Sequence, residues 1–180
     1  MNRIDAPVFW RWAFSDFLSN ALRGVLAEYI VASAIGSTQK ARSEWDAYDL
    51  VTEDGLKIEV KSSAYLQAWR QEKPSSIRFD IAHKQAWDAQ DNTYSAQAIR
   101  AADVYVFCVF AATDRATADP LDLTQWFFMV CPTTWLTQKL GNQKSVGLAS
   151  LEHHGIRRVA FTELAAAIHA ARAEIVVNGV

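Results

Sequence analysis

Trp45-Asp46-Ala47-Tyr48-Asp49-Leu50-Val51-Thr52-Glu53-Asp54-Gly55-Leu56-Lys57-Ile58-Glu59-Val60-Lys61 is the stretch on which the reading of this chain turns. It predicts two short strands, 47–52 and 56–61, joined by a turn on Asp54-Gly55. Glycine accepts the positive φ that a tight hairpin turn needs. Asp49, Glu59 and Lys61 lie inside strands that are otherwise apolar. Charges in such surroundings are seldom placed there unless they are paired or bind something.

Loop length decides where these charges point, because a one-residue slip moves every side chain to the opposite face. A two-residue loop pairs Glu53 with Leu56 and sets Asp49 opposite Val60. A three-residue loop, with Gly55 as the left-handed bulge residue, pairs Thr52 with Leu56. Asp49 then stands opposite Glu59, and Lys61 follows on the same face. The bulged hairpin is the expectation.

Two neighbouring carboxylates repel each other unless a cation lies between them. Mg²⁺ prefers such oxygens and keeps waters for the rest of its shell. A lysine two residues on can stabilise developing negative charge or orient a water. Acid, hairpin, acid-x-Lys is therefore a layout suited to metal-assisted phosphodiester cleavage. Asp49 with Glu59-Val60-Lys61 resembles the PD-(D/E)XK nuclease superfamily. Tyr48 stands where the family name has proline, a departure frequent among its members.

The resemblance covers about residues 14–110. It implies an α/β restriction-endonuclease-like core, a central mixed β-sheet flanked by helices, with 111–180 as decoration of the same domain. It further implies a Mg²⁺- or Mn²⁺-dependent (endo)deoxyribonuclease, linked to restriction, repair or phage defence. Asp49, Glu59 and the Val60 carbonyl would ligate the metal, with Glu28 completing the shell. Lys61 would position the attacking water, and the products would carry 5′-phosphate and 3′-hydroxyl ends. Two alternatives stay open: an inactive nucleic-acid- or protein-binding module on the same fold, and a structural ion-pair cluster in an unrelated α/β domain. Decayed members of such folds usually lose an acid or the lysine, and here all the positions are filled.

At 180 residues, 51% hydrophobic and 21% charged, the chain is expected to form one globular domain. A net charge of −2 gives no global basic signature, so any contact with DNA has to be local. Between Lys57 and Lys84 the bases are Lys57, Lys61, Arg70, Lys73, Arg78 and Lys84, against Glu59, Glu72 and Asp80. Arg70, Lys73, Arg78 and Lys84 are accordingly candidate phosphate contacts, and for any one of them a solvated rim is the equal alternative. Cys108 and Cys131 lack metal-ligand spacing and read as buried thiols of a reducing compartment. No apolar run reaches transmembrane length and the N-terminus lacks signal-peptide form, so a cytoplasmic protein off the membrane is expected. A homodimer is attractive because two DNA strands need two sites.

Around the hairpin, a helix is expected over 13–35, ending near Gly36, with an apolar stripe through Phe14, Phe17, Leu18, Ala21, Val25, Ala32 and Ile35. Glu28 lies on that stripe. It is either bridged to Arg23 or aimed at the hairpin, as the helical glutamate before the first strand is in many members of the resembled family. Residues 1–12, with Trp10 and Trp12, are expected to pack under this helix. A polar loop with Lys40 and Arg42 follows. Residues 77–81 read as a third strand, 83–100 as loop and then helix from about Ser95 to Ala101, and 104–110 as a strand buried on both faces. Beyond a long loop come a strand at 126–130, a helix at 134–140, a strand at 145–148 and a last helix at 163–173 capped by Thr162. The His153-His154 pair and His169 read as polar or structural rather than as metal ligands.

Overall fold

The structure, a computed structural model, describes residues 3–39, 47–88 and 93–178. The elements run α1 (Ala6–Ala13), α2 (Asn20–Ala34), β1 (Leu50–Val51), β2 (Lys57–Ala64), β3 (Arg78–Asp80), β4 (Lys84–Asp88), β5 (Thr93–Ile99) and β6 (Val104–Phe110). They continue as β7 (Trp126–Pro132), α3 (Thr133–Leu140), β8 (Ser145–Gly147), α4 (Leu148–His153) and α5 (Phe161–Asn178). β1, β2, β6 and β7 form a four-stranded sheet in that order. β2 and β6 run parallel, and both outer pairs are antiparallel. The fold is thus α/β, with a mixed central sheet flanked by helices and compatible with a restriction-endonuclease-like core.

β6 explains the sheet's stability. Val-Tyr-Val-Phe-Cys-Val-Phe is β-branched and aromatic almost throughout, and all seven residues are buried. Alternate side chains serve two separate cores. Val104, Val106, Cys108 and Phe110 join Ile58, Val60 and Ala64 beneath α2 and α5. Tyr105, Phe107 and Val109 pack with Ile77, Phe79 and Ile81 and with Leu136, Val146 and Leu151 on the other face. Each side chain fully buried in this way contributes ~1.5–3 kcal/mol.

Several expectations are corrected. Apart from Ala13, which ends α1, the helix predicted over 13–35 is helical only from Asn20 to Ala34, and α2 begins only where the Ser19 hydroxyl accepts from the Leu22 amide. Its end falls as expected: Gly36 has φ +69°, and the Ser37 amide donates to the Ala32 carbonyl, closing the last turn. The buried face of α2 carries Arg23, Ala27, Ile30, Val31 and Ala32, whereas Phe14 and Val25 of the expected stripe are exposed. Residues 6–13 form α1, which buries none of its side chains. Trp10 and Trp12 are exposed rather than packed under a helix. β4 and β5 form an antiparallel hairpin where loop and helix were expected. Tyr94, Ala96 and Ala98 alternate with polar residues there, a period-two pattern that the helix-favouring alanines conceal. β3 pairs with β8 outside the central sheet. Lys40 and Arg42 lie outside the described residues.

Candidate active site

The hairpin forms in the bulged register. Leu50 pairs with Ile58 and Val51 with Lys57, and Thr52 donates its amide to the Leu56 carbonyl. Gly55 takes φ +85°, and its amide donates to Thr52. The Thr52 hydroxyl, bonded to Asp54, accepts from the Leu56 amide. Asp54 also pairs with Arg172 of α5, tying the turn to the core. The paired register ends at Leu50–Ile58, one residue short of Asp49.

β1 is only two residues long, and this places the Asp49 carboxylate. The Asp49 amide donates to the Ile58 carbonyl, among the described residues the last backbone bond on that side. The next donor along β2, the Val60 amide, gives its hydrogen to Asp49 Oδ2 at 2.7 Å. The carboxylate therefore stands beside β2 just beyond the last paired residue of β1, where Glu59 and Glu28 of α2 both act on it electrostatically. Burial and then Glu59 push the Asp49 carboxyl up to about 6, with the Val60 hydrogen bond opposing and Glu28 adding to the rise.

Glu59 is buried at 8% exposure. Its Oε1 lies 2.5 Å from Lys61 Nζ and 3.8 Å from Lys84 Nζ. Burial by itself would lower the Lys61 ammonium. The charge and hydrogen bond of Glu59, with Asp49 behind them, outweigh this and hold Lys61 above the ordinary lysine value. Lys61 is a fixed cation in this environment, not a base. Behind Glu59, the Tyr105 hydroxyl of β6 is held protonated by burial and by the same carboxylate.

Glu28, Asp49, Glu59, Val60, Lys61 and Lys84 are thus brought to one sheet edge. Arg70 and Lys73 are exposed on the irregular stretch after β2. Arg78 is exposed on β3 and donates to the Ser145 hydroxyl at 2.8 Å. Arg23, the alternative partner for Glu28, instead donates to the Leu18 carbonyl, Asn20 and Gln67. Arg100 went unnoticed in the sequence. It is buried and donates to the carbonyls of Ile81, Gly141 and Gln143, fixing the root of the β4–β5 hairpin. Nothing in a single sequence marks an arginine at a strand end as such a pin.

Among the described residues, no three His, Cys, Asp or Glu side chains are grouped closely enough to enclose an ion alone. Two carboxylates at a sheet edge, one raised by burial and then by the other, instead suit a cation that takes few protein oxygens and keeps water or phosphate for the rest.

A family model described as bacteriophage T4 endonuclease IV matches residues 13–148. The chain belongs to that family. The matched span runs from before α2 to the first residue of α4 and includes every residue gathered at the edge. Membership makes the protein a nuclease, and it supports DNA as the substrate. Among curated proteins no match to the chain is found. Among the described residues, no helix is long and apolar enough to cross a membrane.

Proposed function

We propose that this endonuclease-family protein cuts DNA by divalent-metal-assisted hydrolysis of the PD-(D/E)XK type, with Asp49, Glu59 and Lys61 as the catalytic group. The observation that carries the reading is the Asp49 carboxylate held by the Val60 amide within the electrostatic reach of Glu59, with Lys61 2.5 Å from Glu59. Two carboxylates in that position repel, and burial magnifies the repulsion. A Mg²⁺ or Mn²⁺ ion would relieve it.

Asp49 and Glu59 would hold the ion, with the Val60 carbonyl between them and Glu28 reaching the shell directly or through water. When bound, the ion would polarise the phosphoryl oxygens and acidify the attacking water. Asp49 is well suited as a fixed ligand, because the Val60 amide holds one of its two oxygens. Lys61, protonated and largely buried, orients the water and stabilises the charge that builds on the equatorial oxygens. The water oxygen gives up a proton to solvent and bonds to phosphorus as the bond to the 3′-oxygen breaks. The leaving oxygen takes a proton from solvent, giving 5′-phosphate and 3′-hydroxyl ends.

Calorimetric titration with Mn²⁺ tests the site, with wild type beside the Asp49→Ala, Glu59→Ala double variant and both then assayed on plasmid and single-stranded DNA. The expected result is binding and cleavage by the wild type and neither by the variant. Wild-type cleavage that persists in the double variant would sink the assignment.

A further inference from the structure

Glu59 already has a full-strength partner in Lys61, yet a second ammonium, Lys84, is carried to the same carboxylate oxygen. At 3.8 Å, and with its side chain 60% exposed, Lys84 lies outside hydrogen-bond range of Glu59. Lys61, bonded to the same oxygen at 2.5 Å, already neutralises this buried carboxylate. Glu59 therefore does not need it as a counter-ion.

Its placement is nonetheless fixed by the fold. Lys84 is the first residue of β4 and pairs with Ile99 at the end of β5. Just before β4, the Ile81 carbonyl accepts from Arg100 Nε at 2.8 Å and the Ile81 amide donates to Lys144. Just after β5, Arg100 itself is buried at 8% exposure and anchored on the carbonyls of Gly141 and Gln143. A hairpin clamped at its root thus holds a solvent-facing ammonium over the carboxylate edge.

The position of this ammonium gives it a purpose. It stands 3.8 Å from the carboxylate proposed to hold the ion, on the solvent side of that carboxylate, where a phosphate drawn to the ion has to approach.

We propose that Lys84 is a substrate-contacting catalytic residue, donating to a non-bridging oxygen of the very phosphate being cut. Lys61, held at 17% exposure, serves the water and the reacting centre from inside. Lys84 serves the phosphate from the solvent side. The assignment rests on the nuclease reading of the same edge.

The test uses the full chain and DNA oligonucleotides, single-stranded and duplex, with Mn²⁺. Lys84→Ala should lower kcat about 10- to 100-fold with KM changed far less, and Lys84→Arg should recover much of the loss. In a Lys61→Ala background, adding Lys84→Ala should reduce the salt slope of DNA binding by about one unit. Mn²⁺ affinity of Lys84→Ala should match or exceed that of the wild type, since an ammonium near Glu59 is gone. A rise in KM alone would move Lys84 to a distant phosphate and overturn the assignment. So would unchanged kinetics, or loss of Mn²⁺ binding. A wild type that cuts no DNA would refute the reading of the edge itself and take this proposal with it. A wild type that cuts and a Lys84→Ala that cuts equally well would refute only the role of Lys84.

Discussion

The Asp49 carboxylate takes the Val60 amide at 2.7 Å, so one acid both ends a two-residue strand and occupies the edge where chemistry is proposed. Burial and Glu59 push this carboxyl up to about 6. The native state thus binds more protons than the unfolded chain between about pH 4 and pH 6, and stability falls as pH rises through that window. Above it the cost is complete. Asp49→Asn keeps an acceptor for Val60 and removes the charge. It should stabilise the apo protein at pH 8 by about 1–2 kcal/mol, after allowance for solvent screening at a part-exposed edge. At pH 4 the two proteins should unfold alike. Urea denaturation at both pH values, without divalent metal, measures this; an unstabilised variant at pH 8 would remove the repulsion argument.

Lys61 is held protonated by the carboxylates around it. If it orients water and stabilises charge, Lys61→Ala should cut far more slowly, by about 10²–10³-fold, while still binding Mn²⁺. Cleavage and calorimetry on one sample separate this from collapse of the site, in which both would be lost together.

Gly55 holds the register at φ +85°, and a Cβ built there meets nothing within 4 Å. The cost of a side chain is therefore conformational rather than steric crowding by neighbours. Gly55→Ala should destabilise by ~1 kcal/mol, Gly55→Asn by less, because asparagine visits the left-handed region more readily. Thermal melts of the two variants give the order directly, and equal losses would contradict it.

Cys108 and Cys131 are both buried and free. Burial raises both thiols, Cys131 to about 12 and Cys108 further still. Reactivity requires thiolate, so a thiol reagent at pH 8 should label neither cysteine until the protein unfolds. Rapid labelling of the native protein would show that the β6–β7 core opens.

The hairpin was more legible than the elements around it, and the physical reason is local. Asp54-Gly55 specifies a turn within a few residues, and turn geometry fixes which side chains face each other. The pairing of Val51 with Lys57 and of Leu50 with Ile58 follows from that alone. Glu28 needed a helix face, and the face was misassigned because Phe14, Phe17 and Val25 look like core. The buried side of α2 is instead built on Ala27, Ile30 and Val31 around a buried Arg23. The β4–β5 hairpin failed for a related reason. Its strands are too polar to announce a core, and what fixes its root is Arg100 reaching carbonyls as far along the chain as Gln143. Long-range pins of this kind leave no period in a sequence.

Arg100 is where that non-local information can be tested. Its guanidinium satisfies the Ile81 carbonyl at one end of the β4–β5 hairpin and the Gly141 and Gln143 carbonyls just beyond α3. A cation there also suits the negative end of the α3 dipole. Arg100→Met keeps much of the apolar stem but leaves these acceptors without their donor, and should destabilise by about 2–4 kcal/mol. Arg100→Lys should recover only part, since one ammonium cannot span all three carbonyls. The consequence reaches the site, because Lys84 stands three residues beyond Ile81. At a temperature where both variants remain folded, Arg100→Lys should lower kcat in the direction of Lys84→Ala, and adding Lys84→Ala to it should cost less than in the wild type. Steady-state cleavage across that double-mutant cycle checks the coupling; strictly additive losses would mean that Arg100 supports the fold without setting the position of Lys84.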